Sequence, residues 1–507
     1  HFRRTKLRVG GSFFCVSTCN ILCLVKMSSI AVPEDMCKSE TIKLRNRHIG
    51  KSCQLFYKGA PLKIVRGQGQ YMYDEEGTRY LDCINNVAHV GHCHPHVVAA
   101  GCRQMALLAT NNRFLHDELV RCAQRIADKT PGDLSVCFFV NSGSEANDLA
   151  MRLARAATSQ RDIITLDHAY HGHLISTMEI SPYKFNQPNG DPKPYYVHVA
   201  PPPDTYRGRY TSRKHSDDEL ANLYAAEVDK IIANVKAEGR GIAGFIAESL
   251  QSCGGQIIPP EKYMGLVYKA VREAGGVVIA DEVQVGFGRV GTHFWAFEQQ
   301  HVVPDIVTMA KPIGNGHPVG IVLTTPEIAD TFASSGISYF NTYGGNPVSC
   351  AIVNAVLDVI EDEDLQENAR KVGNHLIEQS MMLKYDFNLV GDVRGSGLFL
   401  GIELIRNQET LEPATEEATF VVNRMKDVHH ILVSQDGPNN NVIKLKPPMV
   451  FSVENADEFL LAFRECLTQL QGVEQKSPEV QTATNSIVCT KPESKILKAA
   501  ERPIKGV

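Results

Sequence analysis

The chain has 507 residues, 43% of them apolar and 21% charged, which suits a large globular domain joined to a smaller one. A net charge of -5 leaves no basic excess, so a broad nucleic-acid footprint is excluded. No run reaches the roughly 18 consecutive apolar residues that a membrane helix needs, so no membrane partner is expected either.

In chain order, residues 1–39 read as a presequence or as upstream read-through. Residues 1–33 hold no acid but contain Arg3, Arg4, Lys6, Arg8 and Lys26, the composition of a mitochondrial presequence. Phe13–Val25 also fits a short signal-peptide core, and a start at Met27 would leave a cytoplasmic chain; all three readings stay open. The segment 40–95 is expected to be a folded lead-in joining the small domain, with a strand at Gln70–Asp74 and a turn at Glu76-Gly77. From 96 to 345 short Val/Ile/Phe runs alternate with helical stretches. Ser135–Val140, Asp162–Leu166, Gly244–Ala247, Val277–Ala280 and Ile306–Met309 read as strands buried on both faces, hence an α/β unit with a mainly parallel sheet. From 346 to 472 a helix after Pro347, a strand at Gly397–Leu404 and helices near 415–428 and 454–471 suggest a smaller α+β domain. Residues 473–507, rich in Lys, Glu, Ser, Thr and Pro, read as a disordered tail.

The 14 cysteines include no C-x-x-C pair and are read as reduced, mostly buried thiols. His89, His92, Cys93 and His94 fit no common zinc spacing, so no metal is expected.

Lys311 ends the Ile306–Met309 run, just before Pro312-Ile313-Gly314-Asn315-Gly316. Open α/β sheets bind ligands at such strand ends, and an amine there can form a Schiff base with a carbonyl cofactor. The ordinary use of a strand-end lysine is a solvated surface charge. Val277–Ala280 delivers Asp281 to a neighbouring strand end. A carboxylate there can face the ring nitrogen of pyridoxal phosphate and make the ring an electron sink; alone, Asp281 reads more simply as a cap or turn residue. Asn141-Ser142-Gly143-Ser144-Glu145 opens a helix after a strand, and the N–H groups there suit a phosphate, although Ser-Gly-Ser is also an ordinary cap. Tyr170, in Ala169-Tyr170-His171-Gly172, can stack on a flat ring or simply pack.

Taken in order, these pieces resemble the class III aminotransferases of pyridoxal-phosphate fold type I. The matching segments are Tyr80-Leu81-Asp82, Gly91–Pro95, Asn141–Asn147, Tyr170-His171-Gly172, Glu248–Gln251, Ile279–Gly288, Met309–Gly316, Thr342–Pro347 and Val393–Gly397, over about residues 45–470. The resemblance implies Lys311 as the Schiff-base lysine and Asp281 at the pyridine nitrogen. It implies Ser142, Gly143 and Ser144 at the cofactor phosphate, Tyr170 on the ring, Gln284 near the 3′-oxygen, and Glu248 among the cofactor contacts. Thr342 would reach the cofactor of a neighbouring subunit, implying a homodimer, or a tetramer built from it, with shared active sites.

Two departures stand out. The family's Glu-Pro-x-Gln-Gly is here Glu248-Ser249-Leu250-Gln251-Ser252, and Lys444, in Ile443–Pro448, stands where most members carry an arginine that forks onto a substrate carboxylate. Lysine is a point charge and arginine a fork, so the exchange is not conservative. The reacting carbon is therefore expected to lack a carboxylate, with Lys444, Lys446 and Arg394 as candidates to meet a phosphate instead. Among relatives the chain is similar to the ammonia-releasing phospho-lyases of this class, nearer to those acting on O-phosphoethanolamine than on 5-phosphohydroxy-L-lysine. That implies a β-elimination: Lys311 takes the proton from the carbon bearing nitrogen and phosphate leaves the next carbon, giving acetaldehyde, ammonia and phosphate. The alternatives are an ω- or alanine–glyoxylate-type aminotransferase and a catalytically inactive cofactor-binding assembly protein.

Overall fold

The computed structural model describes residues 36–474. The expectations for residues 1–35 and for a tail beyond 474 lie outside the described residues. A helix opens at Lys38, inside the segment read as presequence, and another runs to Glu474.

Three short strands come first, β1 (Ile64–Gln68), β2 (Tyr71–Asp74) and β3 (Arg79–Asp82), as an antiparallel meander. Its turn is closed by the Gly77 N–H donating to the Asp74 carbonyl. Seven strands follow: β4 (Val136–Val140), β5 (Asp162–Leu166), β6 (Val197–Ala200), β7 (Ile242–Glu248), β8 (Val277–Asp281), β9 (Ile306–Met309) and β10 (Gly320–Thr324). They form one sheet in the order β4-β10-β9-β8-β7-β5-β6, and only β10 runs against the rest. The α/β class with a mainly parallel sheet is thus as expected. The strands β6 and β10 were not among those expected.

Helices cover both faces of the sheet. Gly143–Thr158 packs Ala146, Leu149, Ala150 and Leu153 on one face with Ile163, Ile246 and Ile279. Asp217–Ala237 and Tyr263–Glu273 bury Leu220, Tyr224, Val228, Val267 and Val271 on the other, with Phe245 and Val278. Each such side chain removed from water contributes about 1.5–3 kcal/mol, which is why continuous apolar strands can sit in the middle layer.

The remaining strands are β11 (Val390–Ser396), β12 (Phe399–Leu404), β13 (Ile431–Leu432), β14 (Ser434–Asp436) and β15 (Val442–Leu445). Four form an antiparallel sheet, β11-β12-β15-β14, while β13 pairs in parallel with β3 and so ties the first meander to the C-terminal region. The Lys446 N–H donates to the Cys83 carbonyl at 2.9 Å across the same seam.

The histidines near residue 90 have separate partners: His89 the Phe287 carbonyl, His92 Asp82, and His94 Glu363. Of the ten cysteines among the described residues, all free, only Cys83, Cys122, Cys350 and Cys466 are fully buried, fewer than expected. Also among the described residues, no helix is long and apolar enough to cross a membrane.

Candidate active site

The C-terminal ends of β4, β5, β8 and β9 converge on one cavity of about 370 Å³, lined in part by Ser142, Gly143, Ser144, Tyr170, Asp281, Val283, Gln284 and Lys311. Convergence follows from topology. Parallel strands all end at one edge, so residues far apart in sequence meet there.

Lys311 begins a single 3₁₀ turn just after β9. Its amine makes no hydrogen bond or ion pair among the described residues, and burial lowers its pKa. Lysine shifts readily when desolvated, and a neutral amine is a nucleophile and a base. Asp281, buried at the end of β8, is held on three sides. Asn147 Nδ2 donates to Oδ2 at 2.8 Å, His171 Nδ1 lies 2.8 Å from the same oxygen, and the Val283 N–H donates to Oδ1 at 3.1 Å. Asn147 is fixed in turn: its Oδ1 accepts from Thr308 Oγ1 at 2.6 Å and its Nδ2 also donates to the His171 carbonyl at 2.8 Å.

Ser142 caps the helix Gly143–Thr158, its Oγ accepting from the Glu145 N–H at 3.2 Å. Gly143 and Ser144 in the first turn carry the amides that a helix leaves unpaired. Gly172, with φ of +140°, lies so close that a Cβ on it would stand 2.6 Å from Ser144 Oγ. Both its backbone angle and this approach demand glycine. Tyr170 packs edge-to-face on Tyr183, ring centres 5.9 Å apart.

Gln284 Oε1 accepts from Asn86 Nδ2 at 2.7 Å and from Lys446 Nζ at 2.9 Å. Lys446 also donates to Ser252 Oγ at 2.7 Å. It is buried, has no carboxylate partner among the described residues, and burial with Lys444 and Lys311 nearby holds its pKa well down. Lys444 is paired with Asp436 at 2.5 Å. Its pKa is raised: desolvation opposes this, and the Asp436 charge outweighs it. Glu248, buried at the end of β7, accepts from the Ser252 N–H at 3.0 Å and is pushed up to about 7 by burial and then by Asp281.

The structure therefore gathers Lys311, Asp281, Ser142, Gly143, Ser144, Tyr170 and Gln284 around the cavity, with Glu248, Lys444 and Lys446 beside it. It separates two others. Arg394 is already saturated, bonding Asp392, Glu403 and the Gly255 carbonyl at 2.8–2.9 Å. That corrects its candidacy as a free cation for a substrate anion. Thr342 lies exposed outside the cavity in the single chain. Sequence reasoning gave no role to Asn147, His171, Ser252 or Asp436. The first two stood inside quoted motifs, and Ser252 was noted only as a departure. Asp436 carried no local signal, because its partner Lys444 is reached only through the pairing of β14 with β15.

These residues fit pyridoxal phosphate: a half-buried amine without a partner among the described residues, a fixed carboxylate one strand away, a helix N-terminus and an aromatic wall. The fold and site define a pyridoxal-phosphate protein of fold type I. The chain belongs to the family described as aminotransferase class-III, whose profile matches residues 56–467. It is similar to a Drosophila melanogaster protein named alanine–glyoxylate aminotransferase 2-like, 62% identical over 94% of this chain and 98% of that one. It is also similar to ethanolamine-phosphate phospho-lyase homolog 1 of Caenorhabditis elegans, 46% identical over 85% of this chain and 94% of that one. Among solved structures, an Arthrobacter phospholyase in complex with phosphoethanolamine superposes with a TM-score of 0.80 at 37% identity, covering 84% of this chain and 99% of that chain.

Proposed function

We propose that the chain is a phospho-lyase that eliminates phosphate from O-phosphoethanolamine, leaving acetaldehyde, ammonia and inorganic phosphate. The observation that carries this reading is Lys446, a buried amine with no carboxylate partner among the described residues, two residues from Lys444, which stands where many relatives place an arginine for a substrate carboxylate. Burial without a counter-ion disfavours the charged form of such an amine, and an anionic ligand would supply the missing countercharge. A phosphate does so, and the phosphoethanolamine bound to the Arthrobacter neighbour supports that choice.

In this reading Lys311 carries the cofactor, Asp281 faces its ring nitrogen, and Ser142, Gly143 and Ser144 hold its phosphate. Tyr170 flanks the ring, Gln284 lies near its 3′-oxygen, and Glu248 stands among the cofactor contacts. The bound cofactor supplies an electron sink for the carbon next to the substrate nitrogen. Lys311, released by the incoming amine, takes the proton from that carbon; burial keeps the amine basic form accessible. Asn147 and His171 hold the Asp281 carboxylate in place. Lys446 and Lys444 orient the phosphate for departure.

A second copy completes the site in this reading. Arg113 stacks on Phe340 at 4.3 Å, joining an exposed apolar stretch (Leu107, Leu108, Phe114, Leu115) to the exposed Phe340, Thr342 and Tyr343. Asn341 in that stretch bonds Asn141 at the cavity rim at 2.8 Å. A mitochondrial location is proposed on the composition of residues 1–33 alone.

The name of the fly relative favours a second reading, amino-group exchange. One assay separates the two. The protein with O-phosphoethanolamine, and separately with 5-phosphohydroxy-L-lysine, is expected to release phosphate and ammonia with no keto acid added, faster from the former. Faster release from the latter would reassign the substrate. No phosphate from either, with amino transfer from alanine to glyoxylate, would overturn the lyase reading.

A further inference from the structure

Gln284 follows β8 and lines the cavity. Both hydrogen bonds of its side chain end on one atom. Gln284 Oε1 accepts from Asn86 Nδ2 at 2.7 Å and from Lys446 Nζ at 2.9 Å, and neither donor lines the cavity. The Nε2 group has no hydrogen-bond partner among the described residues, so it is the end of the amide left for the cavity. The two donors come from opposite ends of the chain. Asn86 lies in the turn after β3, which is held by the Ile84 and Asn85 N–H groups donating to Asp82 Oδ1 at 2.9 and 3.0 Å. Lys446 follows β15, and its backbone N–H is tied to the Cys83 carbonyl at 2.9 Å. Both donors are buried.

Two amides can pair in either sense, so Asn86 and Gln284 alone would leave the orientation open. Lys446 breaks the tie. An ammonium has three donors and no acceptor, so the amide atom it meets at 2.9 Å is the oxygen. A neutral amine still has two N–H groups to give, and the Ser252 hydroxyl, 2.7 Å away, can turn to fill its one lone pair. The same orientation holds in either charge state. A reversed amide would set its NH2 group against the amine and the Asn86 NH2 group, leaving buried donors without acceptors.

We propose that Asn86 and Lys446 are positioning residues that lock the Gln284 amide with its NH2 group toward the cavity, where it donates to the 3′-oxygen of bound pyridoxal phosphate. This role rests on the reading that Lys311 carries the cofactor and that Gln284 stands by that oxygen. A donor there favours the oxygen as an anion and loosens the proton it shares with the Lys311–cofactor linkage; an acceptor there would do the reverse. Lys446 thereby acts on the cofactor through Gln284, besides any contact it makes with a substrate phosphate. The charged groups nearest Lys446 are Lys444, Lys311 and Asp436, with the Cys253 thiol, so its own charge also bears on the linkage. Asn86 is neutral, and its substitution separates orientation from charge.

A pH titration of the visible absorption of the cofactor-loaded protein reads the protonation of the linkage without turnover. Gln284→Leu removes the donor and should raise the midpoint by about one pH unit. Asn86→Ala should raise it by about half a unit or more, although no charge is lost. In the double variant Asn86→Ala/Gln284→Leu the midpoint should match that of Gln284→Leu, because Asn86 acts through Gln284 alone. Lys446→Met should likewise shift the midpoint less in the Gln284→Leu background than in the wild type. Additive shifts in either pair, or an unmoved midpoint in Asn86→Ala, would overturn the proposal. Should Asn86→Ala fail to fold, Asn86→Leu, closer in volume, takes its place in the same cycle with the same expectations. Absence of a visible band from the wild type mixed with pyridoxal phosphate would instead remove the cofactor reading, and this inference with it.

Discussion

At the scale of residues, the site is a set of buried polar groups whose partners decide their charge. Lys446 and Lys444 sit two residues apart, yet one is left to Ser252 and Gln284 while the other is neutralised by Asp436. Lys446→Met should raise KM for O-phosphoethanolamine by about tenfold or more, since a charge-assisted bond contributes about 1.5–3 kcal/mol. The visible absorption of the bound cofactor should survive that change, whereas Lys311→Ala should abolish it; absorbance spectra of the purified variants check both. Glu248 also makes stability depend on pH. Its folded pKa stands near 7, above the ordinary 4.5. Between these values the folded chain keeps a proton that the unfolded chain has released, so its stabilisation is complete below the lower value and is lost as pH rises through the upper one. From about pH 5 to about pH 8 the wild type should therefore lose about 1–3 kcal/mol relative to Glu248→Gln, measured by urea unfolding.

At the scale of elements, single side chains hold whole segments together. Asn147 on the helix Gly143–Thr158 bonds Asp281 at the end of β8, Thr308 on β9 and the loop at His171. Asn147→Ala would leave three buried groups short of a partner, and should cost about 3 kcal/mol in denaturant unfolding while weakening cofactor retention. Gly373, on the helix Leu365–Asp386, packs so tightly on the turn before β12 that a Cβ would stand 2.2 Å from the Gly397 carbonyl oxygen. Gly373→Ala should force the two apart and lower Tm by several degrees, which calorimetry would show. The strands that were legible are those with a continuous apolar run and a helix on either side. β6 was missed because it is a four-residue edge strand, set between Pro194 and Pro201–Pro203. β10 lies only eleven residues after β9, too close for a helical crossover, so it returns antiparallel and falls outside the alternating pattern.

At the scale of the whole molecule, the exposed apolar stretch beside the cavity, from Leu107 to Leu115 and around Phe340, is more than an isolated chain ordinarily leaves in water. A dimer of about twice 55.9 kDa is expected by light scattering, and Leu115→Glu with Phe114→Glu should split it and reduce cofactor occupancy. The sequence alone determined the α/β class and the strand-end edge at which the site would lie, whereas the sheet order β4-β10-β9-β8-β7-β5-β6 decided how Ser144, Lys311, Asp281 and Tyr170 are arranged along it. The class and the edge are local properties, since apolar runs end where polar residues begin and each such end marks a strand edge. Only the tertiary structure decided which candidates meet. It paired Arg394 with Asp392 and Glu403, and Lys444 with Asp436, and left Lys446 and one oxygen of Glu248 without a countercharge. The physical reason is that a buried charge is set by what surrounds it in space. Those surroundings come from strands and loops up to about two hundred residues away, as Gln284 with Asn86 and Lys446 with Ser252 illustrate.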